Sequence, residues 1–352
     1  MLKELLNNRT IMPIWDTNVE WLVRKKEIIR MLCKEEYGFF PLQAVDLSFE
    51  VVEESNTFCA GKAALKKVIA TAKFDHGSFA FPFYSAIPQA AGKHPFFVFI
   101  NFRDDVPDRF LPSEEIADHG FGVLSFCYKD VTSDNSDWSD GLAGTITNNH
   151  ERGKANCGKI AMWAWAASRV MDYAYTQSNL DLSTAAVIGH SRLGKTALLA
   201  GALDERFTCV ISNNSGCSGA ALSRNKKGET IENIYNKFPY WFCDNYEKYK
   251  NNEAKLPFDQ HFLLAAIAPR KVYVASAVQD LWADPESEYL SCVAASEVYE
   301  KLGLTGFVSP DRLPQAGDVF HEGNIGYHLR NGGHYLSRED WLHFIHYLQQ
   351  KA

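Results

Sequence analysis

One serine has the surroundings of an enzymatic nucleophile. The stretch Ala185–Leu199 reads A-A-V-I-G-H-S-R-L-G-K-T-A-L-L and contains the pattern G-x-S-x-x-G. This is close to the G-x-S-x-G nucleophile elbow, in which a buried parallel strand stops, the chain turns sharply and a helix begins. Gly189 permits the close turn, and Ser191 then presents its hydroxyl at the tip. The N–H of Arg192 lies in the first helical turn and provides half of an oxyanion hole. An ordinary glycine-flanked turn has the same pattern, so the interpretation needs a base and an acid.

The order serine, acid, histidine of α/β-hydrolases predicts where these partners lie. Near the end of the chain, N-G-G-H delivers His334 into a tight loop, where it can serve as the base. A strand predicted over Lys271–Ala277 is followed by Asp280, the candidate acid, and four residues later by Asp284, its main competitor. A carboxylate there would fix the imidazole tautomer and stabilise the imidazolium.

The elements that position these residues alternate between strands and helices. Continuous apolar runs at Pro95–Asn101 and Gly122–Cys127 are typical of parallel strands buried on both faces. The loop N-F-R-D-D-V-P lies between them, at the carboxyl end of a central strand, where such sheets form their sites. Further strands are predicted at Ser48–Glu54, Ala64–Ala72 and Ser78–Ser85, as an antiparallel edge meander, and at Phe207–Ser212 and Gly326–Arg330.

Helical spacing marks Gly158–Thr176, Ser287–Leu302 and the last helix, which Ser337 caps with Asp340 three residues on. The sequence therefore predicts an α/β-hydrolase fold, a doubly wound and mostly parallel sheet in a three-layer sandwich. We expect one domain over residues 1–352. Residues 1–45, with a helix through Val19–Cys33, would wrap on its surface, and residues 213–262 would form a long active-site excursion.

The composition and charge of the chain limit the classes of function that we expect. The chain has 352 residues, 46 % hydrophobic and 22 % charged, with a net charge of −7, so a large core is expected and nucleic acid is not an expected partner. We see no membrane-spanning run and no signal peptide, so the expected location is cytoplasmic, or secreted if a leader has been removed. The eight cysteines form no metal motif, and Cys127 and Cys209 lie in apolar runs as buried free thiols, which fits a reducing compartment.

Four motifs in combination resemble one family. They are V-I-G-H-S-R-L-G-K, S-G-C-S-G-A-A-L-S-R, D-L-W-A-D-P and the G-G-H near the end, spread from about Pro95 to the C-terminus. They resemble bacterial glucuronoyl esterases, carbohydrate esterase family fifteen. The resemblance implies hydrolysis of the ester between lignin alcohols and the 4-O-methylglucuronate side groups of glucuronoxylan, without a metal or cofactor.

The resemblance also implies roles for individual residues. Ser191 would be the nucleophile and His334 the base, while the Arg192 guanidinium would add to the oxyanion hole. Lys195 matches a lysine that holds sugar hydroxyls, and Glu229 falls at a polar sugar-contacting position. Two aromatic residues would form the walls of the pocket. Trp282 matches a tryptophan lining the uronate pocket, and Phe102 would line the opposite wall.

The chain departs from the family pattern at two places. Asn214 occupies the position where many members carry a catalytic carboxylate, so the acid role passes to Asp280, as in some bacterial members. Fungal members place cysteines before the nucleophile and after the histidine; here His190 and Tyr335 stand there, so that disulfide is absent.

Three functions are weighed. The first is a serine esterase for (4-O-methyl)glucuronic acid esters, acting as a monomer on a carbohydrate ester. The second is an acetylxylan or feruloyl-type esterase on the same fold. The third is a catalytically inactive hydrolase fold used for binding, against which the joint presence of Ser191, Asp280 and His334 argues.

Overall fold

A sheet of ten strands runs through the part of the chain that the computed structural model describes, residues 1–40, 44, 46–75, 77–147 and 152–350. Its order is β1-β2-β3-β5-β4-β6-β7-β8-β10-β9. The strands are β1 Asp46–Thr57, β2 Ala63–Phe74, β3 Gly77–Pro88, β4 His94–Asn101, β5 Gly122–Cys127, β6 Leu180–His190, β7 Cys209–Asn213, β8 Lys271–Ala277, β9 Val319–Phe320 and β10 Ile325–Arg330.

The middle of the sheet is parallel and buried on both faces. Strands β5, β4, β6, β7, β8 and β10 pair in parallel, in that spatial order. Because successive side chains of a strand point to opposite faces, β4 sends Val98 and Ile100 into one core and Phe97 and Phe99 into the other. The apolar runs in the sequence are thus explained by burial on both sides.

Helices cover the two faces and complete three layers. The larger core lies under α7, α8, α10 and α11, and the smaller one under α4 and α12. The helices are α1 Leu2–Asn8, α2 Trp21–Leu32, α3 Phe58–Gly61, α4 Ser113–Asp118, α5 Tyr128–Val131, α6 Gly141–Thr147, α7 Lys159–Ala174, α8 Arg192–Leu203, α9 Ile231–Lys237, α10 His261–Ala265, α11 Pro285–Lys301 and α12 Arg338–Gln349. The predicted doubly wound α/β-hydrolase sandwich is confirmed.

Both edges of the sheet are antiparallel. Strands β1, β2 and β3 form the predicted meander, and β3 joins the central part by antiparallel pairing with β5. At the other edge the short strand β9 pairs antiparallel with β10. Each predicted strand corresponds to an observed one, although β1, β2 and β3 extend one to three residues beyond the predicted bounds at each end and β7 begins at Cys209, two residues after its predicted start.

The sheet order reverses at β4, which lies between β5 and β6. The chain passes from β4 to β5 on one side and then returns to build β6 on the other. Such a reversal leaves a crevice at the carboxyl ends of the two strands that diverge there, and open α/β sheets bind their ligands in it. The serine that follows β6 and the loop that follows β4 both open onto this crevice.

The N-terminal segment packs against the body of the protein. The predicted helix at Val19–Cys33 is α2, which continues into a π-helical turn at Cys33–Tyr37. Ile28 and Tyr37 are fully buried in the larger core, and the Arg9 guanidinium donates to Ser287 on α11. Residues 41–43 and 45 of the expected wrapping segment lie outside the described residues.

The long excursion at residues 213–262 carries its own helices, as its length predicts. Besides α9 and the start of α10 it contains three short 3₁₀ helices, Pro239–Trp241, Asp244–Tyr249 and Glu253–Lys255. Within the described ranges, no helix is both long and apolar enough to cross a bilayer.

Candidate active site

Ser191 stands in a strained turn between β6 and α8. Its backbone angles are φ 58° and ψ −126°, a conformation that is rare for a residue with a side chain. A Cβ at Gly189 would lie 2.0 Å from the carbonyl oxygen of Leu193, so this turn requires glycine. The backbone N–H of Ser191 donates to the carbonyl of Asn213 at 2.8 Å, which ties the turn to β7. The geometry is that of a nucleophile elbow.

His334 and Asp280 meet beside this turn. Nδ1 of His334 donates to Oδ2 of Asp280 at 2.6 Å, although the two residues are 54 positions apart in the chain. The His334 side chain is 44 % exposed, whereas that of Asp280 is only 5 % exposed. A buried carboxylate that holds a partly exposed imidazole through Nδ1 leaves Nε2 available to a nucleophile or a leaving group.

The environment of Asp280 favours its charged form. Burial by itself would raise the pKa of Asp280, but the hydrogen bond and charge of His334 and a hydrogen bond from Asn214 outweigh burial. The pKa of Asp280 therefore lies below its ordinary value, and the group is a carboxylate at neutral pH.

Asp284 serves a different purpose. It is the N-cap of α11, where its side chain accepts from the backbone N–H of Ser287 at 3.2 Å and from that of Lys227 at 2.8 Å. Its backbone is left-handed, with φ 66°. The carboxylate that contacts His334 is that of Asp280, so the geometry favours the candidate that the sequence placed first.

Asn214 lies next to the acid. Its Nδ2 donates to Oδ2 of Asp280 at 2.8 Å, the same oxygen that accepts from His334. Its Oδ1 is buried without a hydrogen-bond partner among the described residues. The amide thus supports the Asp280 carboxylate as a donor, at the position where the resemblance led us to expect a catalytic carboxylate.

The Arg192 side chain is fixed against the floor of the crevice. Its guanidinium forms an ion pair with Asp134 and lies 4.8 Å from the ring centre of Trp241 and 5.5 Å from that of Phe238. Asp134 is held in turn by Trp241, whose Nε1 donates to it at 2.7 Å. Nε of Arg192 is buried and has no acceptor within the described part of the chain. Asp134 and the two aromatic rings thus hold the Arg192 guanidinium in place next to the turn of Ser191.

A cleft of about 330 Å³ opens at these residues. Lys195, Glu229 and Trp282 line it together with Ser191 and His334. The structure therefore places the polar residues and the tryptophan that were predicted from the sequence in one cleft. The remaining lining side chains and backbone come from Arg192, Asn214, Ser215, Gly216, Lys237, Phe238, Trp241, Asp280 and Ala283.

Lys195 is buried in the wall of this cleft, one helical turn after Ser191. Its ammonium donates to the carbonyl of Ser215. Burial lowers the pKa of Lys195, and the nearby charge of Glu229 works in the opposite direction. Trp282, in contrast, is 57 % exposed as a residue and offers an open aromatic face.

A second hollow of about 580 Å³ lies on the other side of Ser191 and His334. Phe102, which follows β4, lines this hollow with Phe110 and Tyr335. The Phe102 ring centre is 5.7 Å from the Arg192 guanidinium. Phe102 thus lies across the nucleophile from Trp282, in a separate hollow from Lys195 and Glu229.

The two residues that replace the fungal cysteine positions pack around the histidine. The rings of His190 and His334 lie 4.5 Å apart, and His190 Nδ1 donates to Asn213 Oδ1 at 2.6 Å. Burial, with a contribution from His334, lowers the pKa of His190 to about 3, so this ring is neutral. Tyr335 donates its hydroxyl to the carbonyl of Arg109 at 2.9 Å. All eight cysteines are unpaired, and Cys127 and Cys209 are buried as predicted.

The cleft offers hydroxyl, imidazole, carboxylate, ammonium and guanidinium groups. The described residues include no set of three or more His, Cys, Asp or Glu side chains placed to hold a metal ion. A serine, a paired histidine and a donor-lined cleft are suited to acyl transfer.

Sequence reasoning missed the residues that hold Arg192. Asp134 belongs to the loop that follows β5 and α5, and no motif marked it. Trp241 and Phe238 lie in the excursion predicted over residues 213–262, but the sequence did not indicate which of its side chains reach the site. The signal that could have indicated Asp134 is its position after β5, whose carboxyl end lies at the same edge of the sheet as Ser191.

Comparisons with known proteins agree with this geometry. The family model described as glucuronyl esterase, fungi, matches residues 70–303. A carbohydrate esterase from an unknown prokaryotic organism is 42 % identical over 236 residues, which are 66 % of this chain and 54 % of that protein. The 4-O-methyl-glucuronoyl methylesterase of Podospora anserina is 27 % identical over 302 residues, 82 % of this chain and 57 % of its own length. The chain thus spans just over half the length of these two relatives.

Solved structures extend the likeness over nearly the whole chain. A promiscuous CE15 esterase from a marine bacterial metagenome has a TM-score of 0.86 and 31 % identity, with 96 % of each chain covered. The glucuronoyl esterase from Solibacter usitatus has a TM-score of 0.86 and 30 % identity, covering 96 % of this chain and 94 % of its own. On the family model and these structures, the chain belongs to the glucuronoyl esterases, carbohydrate esterase family 15.

Proposed function

We propose that the chain hydrolyses esters of (4-O-methyl)glucuronic acid through an acyl-enzyme on Ser191, with His334 as the base and Asp280 as the acid. The 2.6 Å contact between His334 and Asp280 at the rim of the Ser191 cleft carries this proposal. Membership of the family and the 4-O-methyl-glucuronoyl methylesterase activity of the Podospora anserina relative support the acyl group.

In the first half of the reaction the Ser191 hydroxyl attacks the ester carbonyl. His334 takes the serine proton at Nε2, while Asp280 stabilises the imidazolium through Nδ1. The C–O bond to the alcohol then breaks, and His334 returns its proton to the leaving alkoxide. In the second half water attacks the acyl-enzyme with His334 again as the base, and the uronic acid is released.

The tetrahedral oxyanion needs donors that are in place before the charge develops. The backbone N–H of Arg192 begins α8 and has no carbonyl of its own helix to donate to. The Arg192 guanidinium adds charge, because its ion pair with Asp134 and its aromatic contacts hold it beside Ser191. A preorganised donor of this kind acts only on the transition state and therefore raises kcat.

The two hollows divide the ester between them. The cleft with Lys195 and Glu229 suits the uronate, because an ammonium and a carboxylate match sugar hydroxyls and Trp282 can pack on a sugar face. The hollow with Phe102 and Tyr335 is then the side on which the alcohol leaves.

A comparison of three substrates with matched groups tests this proposal. Benzyl glucuronate and benzyl acetate share the alcohol and differ in the acyl group, while 4-nitrophenyl acetate adds an activated leaving group. We expect a higher kcat/KM on benzyl glucuronate than on benzyl acetate, with the Ser191→Ala protein as the background. Equal or greater kcat/KM on benzyl acetate would instead support the acetylxylan-type alternative, and ethyl ferulate extends the panel to the feruloyl type.

We further propose that the chain acts as a monomer, because Ser191, His334 and Asp280 already meet at one cleft and the proposed reaction needs no residue from a second copy. Light scattering on the active protein checks this, and a dimer at working concentration would contradict it.

A further inference from the structure

The loop that carries His334 needs an anchor. It joins β10 to α12, and Gly332 within it has a φ of 96°, a conformation that favours glycine. One backbone bond, from Gln279 N–H to the Gly332 carbonyl at 3.0 Å, ties it to the loop of Asp280. An exposed histidine on such a loop keeps its orientation only if further contacts hold the backbone on both sides of it.

Arg330, the last residue of β10, makes those contacts. Its Nη1 donates to the carbonyl of Asn331 at 2.9 Å, and its Nη2 donates to the carbonyls of Gly333, at 3.1 Å, and Tyr335. The guanidinium therefore bonds the residues immediately before and after His334. The Arg330 side chain is 5 % exposed, so water does not compete for these bonds.

Asp340 holds the guanidinium in turn. Nε of Arg330 lies 2.9 Å from both Asp340 oxygens, and the Asp340 side chain is completely buried. Asp340 also accepts from the N–H and hydroxyl of Ser337, the N-cap of α12, and from Nε2 of His328 at 2.8 Å. Burial alone would raise the pKa of Asp340, but His328 and the charge of Arg330 lower it to about 2, so it stays a carboxylate.

We propose that Arg330, held by Asp340, is a positioning residue that fixes the orientation of His334 toward Ser191 and Asp280. Arg330 does not line the cleft or the second hollow. Its effect on His334 therefore passes through the loop backbone. This inference rests on the proposed role of His334. A purely structural ion pair between β10 and α12 would stabilise the fold and leave the imidazole orientation unaffected.

Arg330→Lys separates these two cases, because lysine keeps the charge but cannot form the planar fork that reaches several carbonyls. We expect kcat on the best ester substrate to fall roughly 10- to 100-fold with KM changed by less than about threefold. Arg338→Ala is the matched control, since Arg338 is an exposed arginine in the same region that pairs with Glu115. It should keep wild-type kcat. Rates are compared well below the melting temperature of each protein.

Two measurements distinguish a loss of His334 positioning from a loss of protein stability. Guanidinium ion should restore part of the lost kcat in Arg330→Ala and have no such effect on Arg338→Ala. In ¹⁵N-histidine-labelled protein, the Nδ1–H proton of His334, assigned by its loss in His334→Ala, should disappear or broaden in Arg330→Lys and remain in Arg338→Ala. The resonance needs no turnover, so it decides the inference even if the wild-type protein fails to hydrolyse uronate esters.

Wild-type kcat together with an intact His334 resonance in Arg330→Lys would overturn the inference. If Arg330→Lys does not fold, Asp340→Asn takes its place. The side-chain oxygen of asparagine can still accept from Ser337 at the start of α12, but asparagine lacks the negative charge that holds Arg330. The same loss of kcat and of the resonance is then expected, and their retention overturns the inference.

Discussion

Asn214 and Asp280 are joined by a 2.8 Å hydrogen bond in which the amide Nδ2 donates to the carboxylate Oδ2. The same oxygen accepts from His334 at 2.6 Å. One carboxylate oxygen therefore receives two donors, and the amide stabilises the charge that would support an imidazolium. Asn214, which follows β7, is thus a donor to Asp280, which follows β8.

Substitution of the two neighbouring aspartates should separate catalysis from stability. Asp280→Asn should lower kcat on benzyl glucuronate by about 10²- to 10⁴-fold with little change in KM, because the imidazolium loses its counter-charge. Asp284→Asn should lower kcat much less, since Asp284 caps α11 and contacts backbone. Steady-state kinetics and melting curves of both variants provide the comparison, and a larger kcat loss in Asp284→Asn would contradict the assignment.

Asn214→Asp should shift the pH dependence of the reaction. The substitution removes a donor to Asp280 and adds a like charge, and both changes raise the pKa of Asp280 from its lowered value. The added negative charge beside the His334–Asp280 pair also favours the protonated imidazole, so the acid limb of the kcat/KM profile, which follows protonation of the base, should move to higher pH. Asn214→Ala, which removes the donor without adding charge, is the control and should move the limb less. An acid limb of Asn214→Asp at or below its wild-type position would be evidence against the shared-oxygen account.

Arg192 and Lys195 should give different kinetic signatures. Arg192→Ala should lower kcat and kcat/KM together on glucuronate and acetate esters, because the oxyanion forms in both reactions. Lys195→Ala should act mainly through KM on benzyl glucuronate and hardly affect 4-nitrophenyl acetate, which has no sugar to bind. Equal losses on the two substrates in Lys195→Ala would show that the lysine supports the cleft through its bond to Ser215 and does not bind sugar.

Glu288 should make the stability of the protein depend on pH. Its side chain is fully buried, where it accepts from Gly216 N–H at 2.8 Å and Ser276 Oγ at 2.6 Å, and burial raises its pKa to about 7. A pKa raised on folding contributes stability that is complete below the unfolded pKa of about 4.3 and is lost as pH rises through about 7. This contribution is on the order of 1–3 kcal/mol.

Between about pH 5 and about pH 8, the wild-type melting temperature should therefore fall by a few degrees more than that of Glu288→Gln. Glu50→Gln, at an exposed position of β1, is the control and should follow the wild type. Parallel melting curves for wild type and Glu288→Gln across this range would contradict the raised pKa.

Much of the fold could be read from the sequence where burial imposes a pattern. Strands β5 and β8 have the predicted bounds because both faces are covered and turn residues end the apolar run. The capping box of Ser337 and Asp340 was also predicted, and it is present in the structure. In contrast, β1 to β3 run longer than predicted, because antiparallel pairing along the whole meander extends them into end residues such as Gly77, Pro88 and Asn56 that carry no strand signal.

The site was predictable where one strand end carries one functional residue. Ser191 directly follows β6, His334 lies in the short loop after β10, and both line one cleft. Asp280 and Asp284 both follow β8, so spacing alone could not separate them; in the structure Asp280 contacts His334, whereas Asp284 caps α11. The ion pair of Arg192 with Asp134 joins residues 58 positions apart, and the sequence has no local feature that indicates such a pairing. The extent of a single domain over residues 1–352 stays a prediction.

Hydrolysis of benzyl glucuronate by the wild-type protein and by Ser191→Ala tests the central claim most directly. The account predicts turnover by the wild type and a loss of about 10⁴- to 10⁶-fold in kcat for Ser191→Ala, with an unchanged melting curve. A Ser191→Ala protein that keeps a tenth of the wild-type kcat would contradict the assignment of Ser191 as the nucleophile.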